Sequence, residues 1–225
     1  MQLERILQSQ GFGTRRECRA LVRLERVTVR GEMVDDPFVD VDTADLDYTV
    51  DGEAWRYHEP SYVMLHKPAG YECSLKPGAW PGVHNLLPPA LRKRGLQPVG
   101  RLDQDTTGLL LLTDDGQLIH RLASPKHDVP KVYEVTLKHP ADAGICARLL
   151  AGVVLDDDPR PVRAAACELD DPLHLRLTLT GGKYHQVKRM VAAVGNRVEA
   201  LHRSAIGPLD LSDGLPEGHW RWLKG

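Results

Sequence analysis

Short apolar stretches separated by Gly, Pro and Asp run the length of the chain, and their spacing alternates between helical and extended. Leu3, Ile6 and Leu7 form a helical stripe that ends before Gly11 and Gly13. Thr14 and Glu17 then stand three apart, the spacing of a capping box, in which each side chain satisfies the other's exposed backbone donor. The helix they open carries Cys18, Leu21 and Val22 on its core side and Arg16, Arg19 and Arg23 on another. Val27 and Val29 before Gly31 read as a strand and turn. Val39, Val41, Leu46, Tyr48 and Val50 alternate loosely through the following segment, which predicts edge strands completing a small domain.

The second half of the pattern is longer. Tyr62 to Leu65 reads as a strand running into the turn Lys67-Pro68-Ala69-Gly70, where a stabilising role is expected. Ser74 to Gln97, rich in Pro and Gly, predicts an irregular connection, with Arg92, Lys93 and Arg94 on an exposed loop. Leu109 to Leu112 is unbroken and apolar, long enough for a buried strand and too short for a helix. Asp114-Asp115-Gly116 supplies turn and cap chemistry ahead of a helix bearing Leu118, Ile119 and Leu122, which breaks at Ser124-Pro125. Pro130 to Leu137 alternates as a strand whose faces the pattern does not assign. Residues 141–179 predict a helix, a turn-rich link and strands. A final helix is expected from about Lys183 to Gly195, with Val187, Met190, Val191 and Val194 inward and His185, Lys188 and Arg189 on the other side.

Composition adds bounds. The chain has 225 residues, 42% of them hydrophobic, enough for a small domain plus a larger one. The net charge of -2 announces no global basic field, but its distribution is uneven. Residues 1–30 hold seven Arg and three Glu, whereas residues 31–54 hold nine acidic residues and no Lys or Arg. A basic head beside an acidic block suggests one surface facing a polyanion and one solvated face. The four cysteines lie apart without a C-x-x-C pair, which argues against zinc or a disulfide framework and fits a reducing compartment. No signal-peptide core or bilayer-length run is present, so a cytoplasmic protein is expected, with no membrane partner.

Candidate chemistry concentrates in Pro98 to Gly116. Arg101, Asp103 and Asp105 sit on an irregular segment directly before the buried strand, a place where a rigid scaffold positions an exposed loop. The two carboxylates either face the same way or satisfy backbone N–H groups in a turn. Asp156-Asp157-Asp158-Pro159 reads as a surface turn rather than a metal site, since no further ligands stand nearby.

The stretch GRLDQDTTGLLLLT resembles the central motif of the pseudouridine synthases, in the branch that modifies ribosomal RNA and is typified by the small-subunit enzyme. The head, ending in VTVRGEMV, resembles the S4 RNA-binding domain. The turn HKPAG, the Lys131-Val132-Tyr133 triplet, the block GKYHQVKRM and the closing Leu201-His202-Arg203 are similar to further motifs of the same family. The resemblance implies an α+β fold: an S4-like domain over 1–57, then a catalytic domain over 58–225 on a mixed, mainly antiparallel sheet with flanking helices. It implies that Asp103 is the catalytic residue, that Tyr133 stacks on the target base, and that Lys188 points at Asp103, with Arg189 as the fallback partner. It implies RNA contacts for Arg101, Arg189, Arg203, Arg16, Arg19 and Arg23, and a packing role in the site for Leu201. No cofactor or metal is implied. The expected partner is small-subunit ribosomal RNA, free or in an assembling particle, bound by a monomer. Three alternatives remain at this point: a large-subunit enzyme of the same family, a non-catalytic ribosome-assembly factor, and a glycoside hydrolase using Asp103 and Asp105.

Overall fold

The computed structural model describes residues 1–123, 128–156 and 158–223. Two helices, α1 (Leu3–Ser9) and α2 (Arg15–Arg23), open the chain, and the Thr14–Glu17 capping box forms as the spacing predicts. Strands β1 (Val27–Val29), β2 (Glu32–Met33), β3 (Asp47–Val50) and β4 (Glu53–Arg56) make an antiparallel sheet in the order β2-β1-β3-β4. The acidic segment therefore supplies an inner strand as well as an edge. Tyr48 and Val50 of β3 are buried against Leu3, Ile6, Leu7, Cys18 and Val22, and that burial holds β3 in the middle.

The larger unit contains β5 (Tyr62–Lys67), a 3-10 turn (Val83–Leu86), α3 (Pro89–Arg94), β6 (Gln97–Val99), β7 (Thr107–Thr113), α4 (Gly116–Ala123) and β8 (Lys131–Leu137). It continues with α5 (Gly144–Ala151), β9 (Val153–Leu155), β10 (Asp158–Val162), β11 (Ala166–Asp171), β12 (His174–Leu179), α6 (Gln186–Ala193), β13 (Val198–Ile206), β14 (Leu209–Asp210) and β15 (Trp220–Trp222). Seven strands run in the order β11-β12-β8-β13-β7-β5-β15, with β6 and β14 added beside β7 and β13. Among the described residues every strand pairing in this sheet is antiparallel except β7 with β13, where Thr107 and Gly108 lie beside His202 and Arg203.

The unbroken apolar run of β7 has a packing explanation. Leu110 and Leu112 enter the large core with Val63 and Leu65 of β5, and Leu109 and Leu111 enter a second cluster with Ile119 and Leu122 of α4. A strand covered on both faces has no polar side to display. Gly108 is required where β7 meets β13. It sits at φ +115°, and a β-carbon there would lie 2.3 Å from the carbonyl oxygen of Arg203.

Three local expectations are corrected. The connection from Ser74 to Gln97 is not wholly irregular, because Pro89 opens α3 and Gly95 closes it in the left-handed region. Arg94 is not on an exposed loop: its side chain is 4% exposed, donating to Asp114 at 2.7 Å, to Gln10 Oε1 at 2.7 Å and to the His58 carbonyl at 2.6 Å. It thereby ties the N-terminal unit to the larger one. Finally, α6 begins at Gln186 rather than Lys183, since His185 adopts a left-handed conformation that a helix cannot contain. The helix break expected at Ser124-Pro125 lies outside the described residues, as does Asp157 of the acidic turn. Asp158, next to it, starts β10 of a hairpin with β9.

Candidate active site

The segment between β6 and β7 is short, irregular and closely held. Thr106 N–H donates to the Asp103 carbonyl at 3.1 Å, which folds residues 103–106 into a turn. Beneath it lies Lys67, the last residue of β5, with no exposed surface. Its ammonium donates to the carbonyls of Pro68 (3.0 Å), Gln104 (3.2 Å) and Thr106 (2.7 Å). Gly70 N–H adds a bond to Gln104 O at 2.8 Å. Burial pushes the Lys67 ammonium below its ordinary lysine value, and the nearby acidic groups offset only part of that shift.

With its backbone fixed, the turn presents both carboxylates to α6. Lys188 Nζ lies 3.2 Å from Asp103 Oδ2 and donates to both oxygens of Asp105 at 2.7 and 2.8 Å. His185 Nε2 lies 3.3 Å from the other oxygen of Asp103. So the two carboxylates do face the same way, and one cation serves both. Partial burial pushes the Asp105 carboxyl up, but the Lys188 ammonium outweighs it and holds the group below the ordinary aspartate value. Burial likewise lowers Lys188, yet its two acidic partners leave it raised overall. So held, Asp105 is not the raised carboxyl that a hydrolase pair uses as its acid.

These groups line one wall of a cleft of about 1270 Å³. Tyr133, from the middle of β8, is 9% exposed and lines the same cleft, as does Leu201 of β13. The burial pattern assigns the faces of β8, with Tyr133, Val135 and Leu137 inward. Positions 103, 133 and 188 thus converge, although they come from a loop, a strand and a helix distant in sequence. Lys188, not the fallback Arg189, meets Asp103, and Arg189 donates to the Tyr184 carbonyl at 3.2 Å.

The expected RNA-contacting arginines divide. Arg101 is exposed at the rim of the cleft, and Arg16 and Arg23 are exposed on α2. Arg19 is ion-paired with the buried Glu4 and lies 5.1 Å over the Phe38 ring, so much of its charge is used within the fold. Arg203 is 2% exposed and donates through Nε to the Leu109 carbonyl at 2.9 Å, which makes it part of the cleft floor. The parallel pairing of β13 with β7 carries its side chain inward.

The sequence reading missed two residues of this site. Lys67 ends a strand in a lysine-proline turn, and nothing in one dimension signals that its ammonium meets carbonyls 37 and 39 residues away. Helical spacing puts His185 on a helix face, but its left-handed backbone aims the ring at Asp103 instead. Among the described residues no group of His, Cys, Asp or Glu is arranged to hold a metal ion.

Comparison with known proteins identifies the family. Residues 61–193 match the family model described as RNA pseudouridylate synthase, a span from β5 to the end of α6. The chain is 42% identical over 225 residues to the ribosomal small subunit pseudouridine synthase A of Yersinia pestis, covering 99% of this chain and 94% of the relative. It is 40% identical over 224 residues to the protein of the same name from Escherichia coli K12, covering 99% and 96%. A crystal structure of a pseudouridylate synthase superposes with a TM-score of 0.70 at 37% identity, covering 100% of this chain and 96% of the other. The match spans both the N-terminal unit and the cleft, and the chain belongs to the RNA pseudouridylate synthase family, in the group that contains the ribosomal small-subunit enzymes.

Proposed function

We propose that this protein converts one uridine of small-subunit ribosomal RNA to pseudouridine, with Asp103 as the catalytic residue. The observation that carries the reading is the convergence of Asp103, Tyr133 and Lys188 on one cleft. The reaction breaks the N1–C1′ bond of the nucleoside, turns the base and forms a C5–C1′ bond. The C5 proton leaves and N1 gains one, so no redox partner is required. The target base must first leave its stack, at a cost of a few kcal/mol. Tyr133 offers it a platform worth about 1–3 kcal/mol. Lys188, 3.2 Å away, orients Asp103 beside the sugar, where it acts as nucleophile or removes a sugar proton.

Residues 1–57 serve as the S4-like RNA-binding domain, with Arg16 and Arg23 of α2 toward the phosphates and Arg101 at the rim of the cleft. The protein works as a monomer on ribosomal RNA in the cytoplasm, without a cofactor. The names of the two relatives support the small-subunit assignment. The test is Asp103→Asn, which is expected to keep RNA binding and lose all pseudouridine formation in small-subunit rRNA transcripts. Turnover near wild type removes Asp103 from the mechanism. Product confined to large-subunit transcripts moves the enzyme to the other branch.

A further inference from the structure

Tyr184 stands out on the rim of the cleft. At 76% it is the most exposed large apolar or aromatic side chain among the described residues, yet it lines the same cavity as Asp103. One face of its ring is stacked on His185, with centroids 3.8 Å apart and planes 20° from parallel. His185 in turn lies 3.3 Å from Asp103. The exposed ring is therefore one stacking step from a residue that touches the proposed catalytic carboxylate.

The segment that presents it is well held. Lys183 N–H donates to Gln186 Oε1 at 2.8 Å, and Gln186 N–H returns to the Lys183 carbonyl at 3.1 Å. Arg189 donates from its backbone to His185 O at 3.0 Å and from its side chain to Tyr184 O at 3.2 Å. His185 itself sits at φ +48°, a conformation that non-glycine residues rarely take and that recurs at binding sites. Four hydrogen bonds and a left-handed residue thus fix an aromatic ring in water at the mouth of a cleft. A solitary exposed ring of this kind is no apolar protein-docking patch. Arg101 and Arg163 line the same cavity, and a cationic groove with an aromatic platform is the pattern that holds single-stranded nucleic acid.

We propose that Tyr184, backed by His185, stacks on the base of a nucleotide directly flanking the target uridine. The pair would then be a positioning and specificity element separate from the Tyr133 platform. This rests on the RNA-modifying reading above. Opening the helix to extract one base leaves its neighbour unstacked, and a ring next to the cleft mouth replaces the lost stacking partner.

The experiment compares wild type, Tyr184→Ala and Tyr184→Trp in steady-state pseudouridine formation. The substrates are an rRNA fragment containing the mapped target, and the same fragment made abasic at the 5′ or the 3′ neighbour. Tyr184→Ala is expected to raise KM roughly 5- to 100-fold on intact RNA, and Tyr184→Trp to restore it to within about threefold. On one of the two abasic RNAs, wild type and Tyr184→Ala should converge. A Tyr184→Ala KM within twofold of wild type on intact RNA overturns the proposal. So does a penalty that persists undiminished on both abasic substrates, since the ring then acts without a flanking base. Absence of product from wild type on intact RNA instead overturns the activity on which the proposal rests.

Discussion

Lys67 carries the sharpest test of how the fold positions the site. Replacing it with Met keeps the apolar stem of the side chain and removes the ammonium. Three hydrogen bonds are lost, at 3.0, 3.2 and 2.7 Å, to the carbonyls of Pro68, Gln104 and Thr106. A bond from a charged donor contributes about 1.5–3 kcal/mol, which gives a gross loss of roughly 5–9 kcal/mol. Two effects reduce it. Gln104 O keeps the Gly70 N–H at 2.8 Å, and the ammonium no longer has to be held in a site that lowers its pKa. A net destabilisation of about 2–4 kcal/mol remains. For a chain of this size that is a fall in Tm of roughly 5–15 °C.

The second consequence is kinetic. Gln104 and Thr106 flank Asp105 and follow Asp103, so the lost bonds free the turn that aims both carboxylates at Lys188. A displacement near 1 Å at a reacting group costs on the order of 100-fold. We expect Lys67→Met to lower single-turnover kcat about 10- to 100-fold. RNA affinity should stay within about threefold, because a fully buried ammonium meets no phosphate. Thermal unfolding with single-turnover pseudouridine formation reads both effects. A variant with Tm within 2 °C and kcat within twofold of wild type (both thresholds about the scatter of such assays) would show that Lys67 does not hold the turn.

Two further outcomes follow from the same geometry. Asp105 is held low, so its share of the Lys188 bridge is present above the ordinary aspartate value and is lost only as pH falls through the depressed one; Lys188 is held high, so its share is present below the ordinary lysine value and is lost as pH rises through the raised one. Between about pH 4 and 10 the bridge should not titrate, and a kcat/KM limb within that window that disappears in Asp105→Asn would contradict it. Arg94→Leu should destabilise by about 2–3 kcal/mol, less than a fully buried pair because Asp114 is 29% exposed, and should open residues 57–61 to limited proteolysis; unchanged Tm and cleavage pattern would remove Arg94 from the contact between the two units.

Much of this architecture can be read in one dimension where the physics is local. The capping box at Thr14 and Glu17 is a contact between residues three apart, and the run from Leu109 to Leu112 declares a strand buried on both faces. The placement of Asp103 on a held loop is legible, because the turn, the glycine and the strand behind it form one continuous stretch. Legibility fails where a charge is turned inward by a distant partner. Arg92, Lys93 and Arg94 are equivalent in sequence, and Asp114, Gln10 and His58 select the third. Lys67 and Arg203 fail for the same reason: a cation is normally exposed, and only strand register brings carbonyls to it. His185 fails differently. Helical spacing extends back to Lys183, but the left-handed residue that delays α6 leaves no periodic trace.

The unequal sharing of Lys188 bears on how the proposed reaction proceeds. Its two contacts with Asp105, at 2.7 and 2.8 Å, are shorter than its contact with Asp103, at 3.2 Å. A carboxylate that must engage a ribose has to leave its cation, at least in part. Were Asp103 the only partner, that departure would strand a half-buried ammonium, and the cost would be added to the barrier. Asp105 removes this cost by keeping Lys188 paired throughout. It also holds the ammonium in place, so that positive potential persists at Asp103 as its charge shifts toward the sugar. On this argument the second carboxylate is neither an acid nor a spare nucleophile. In the proposed reaction it anchors the cation, so that Asp103, which both Lys188 and His185 contact, can shift toward the sugar without leaving Lys188 unpaired.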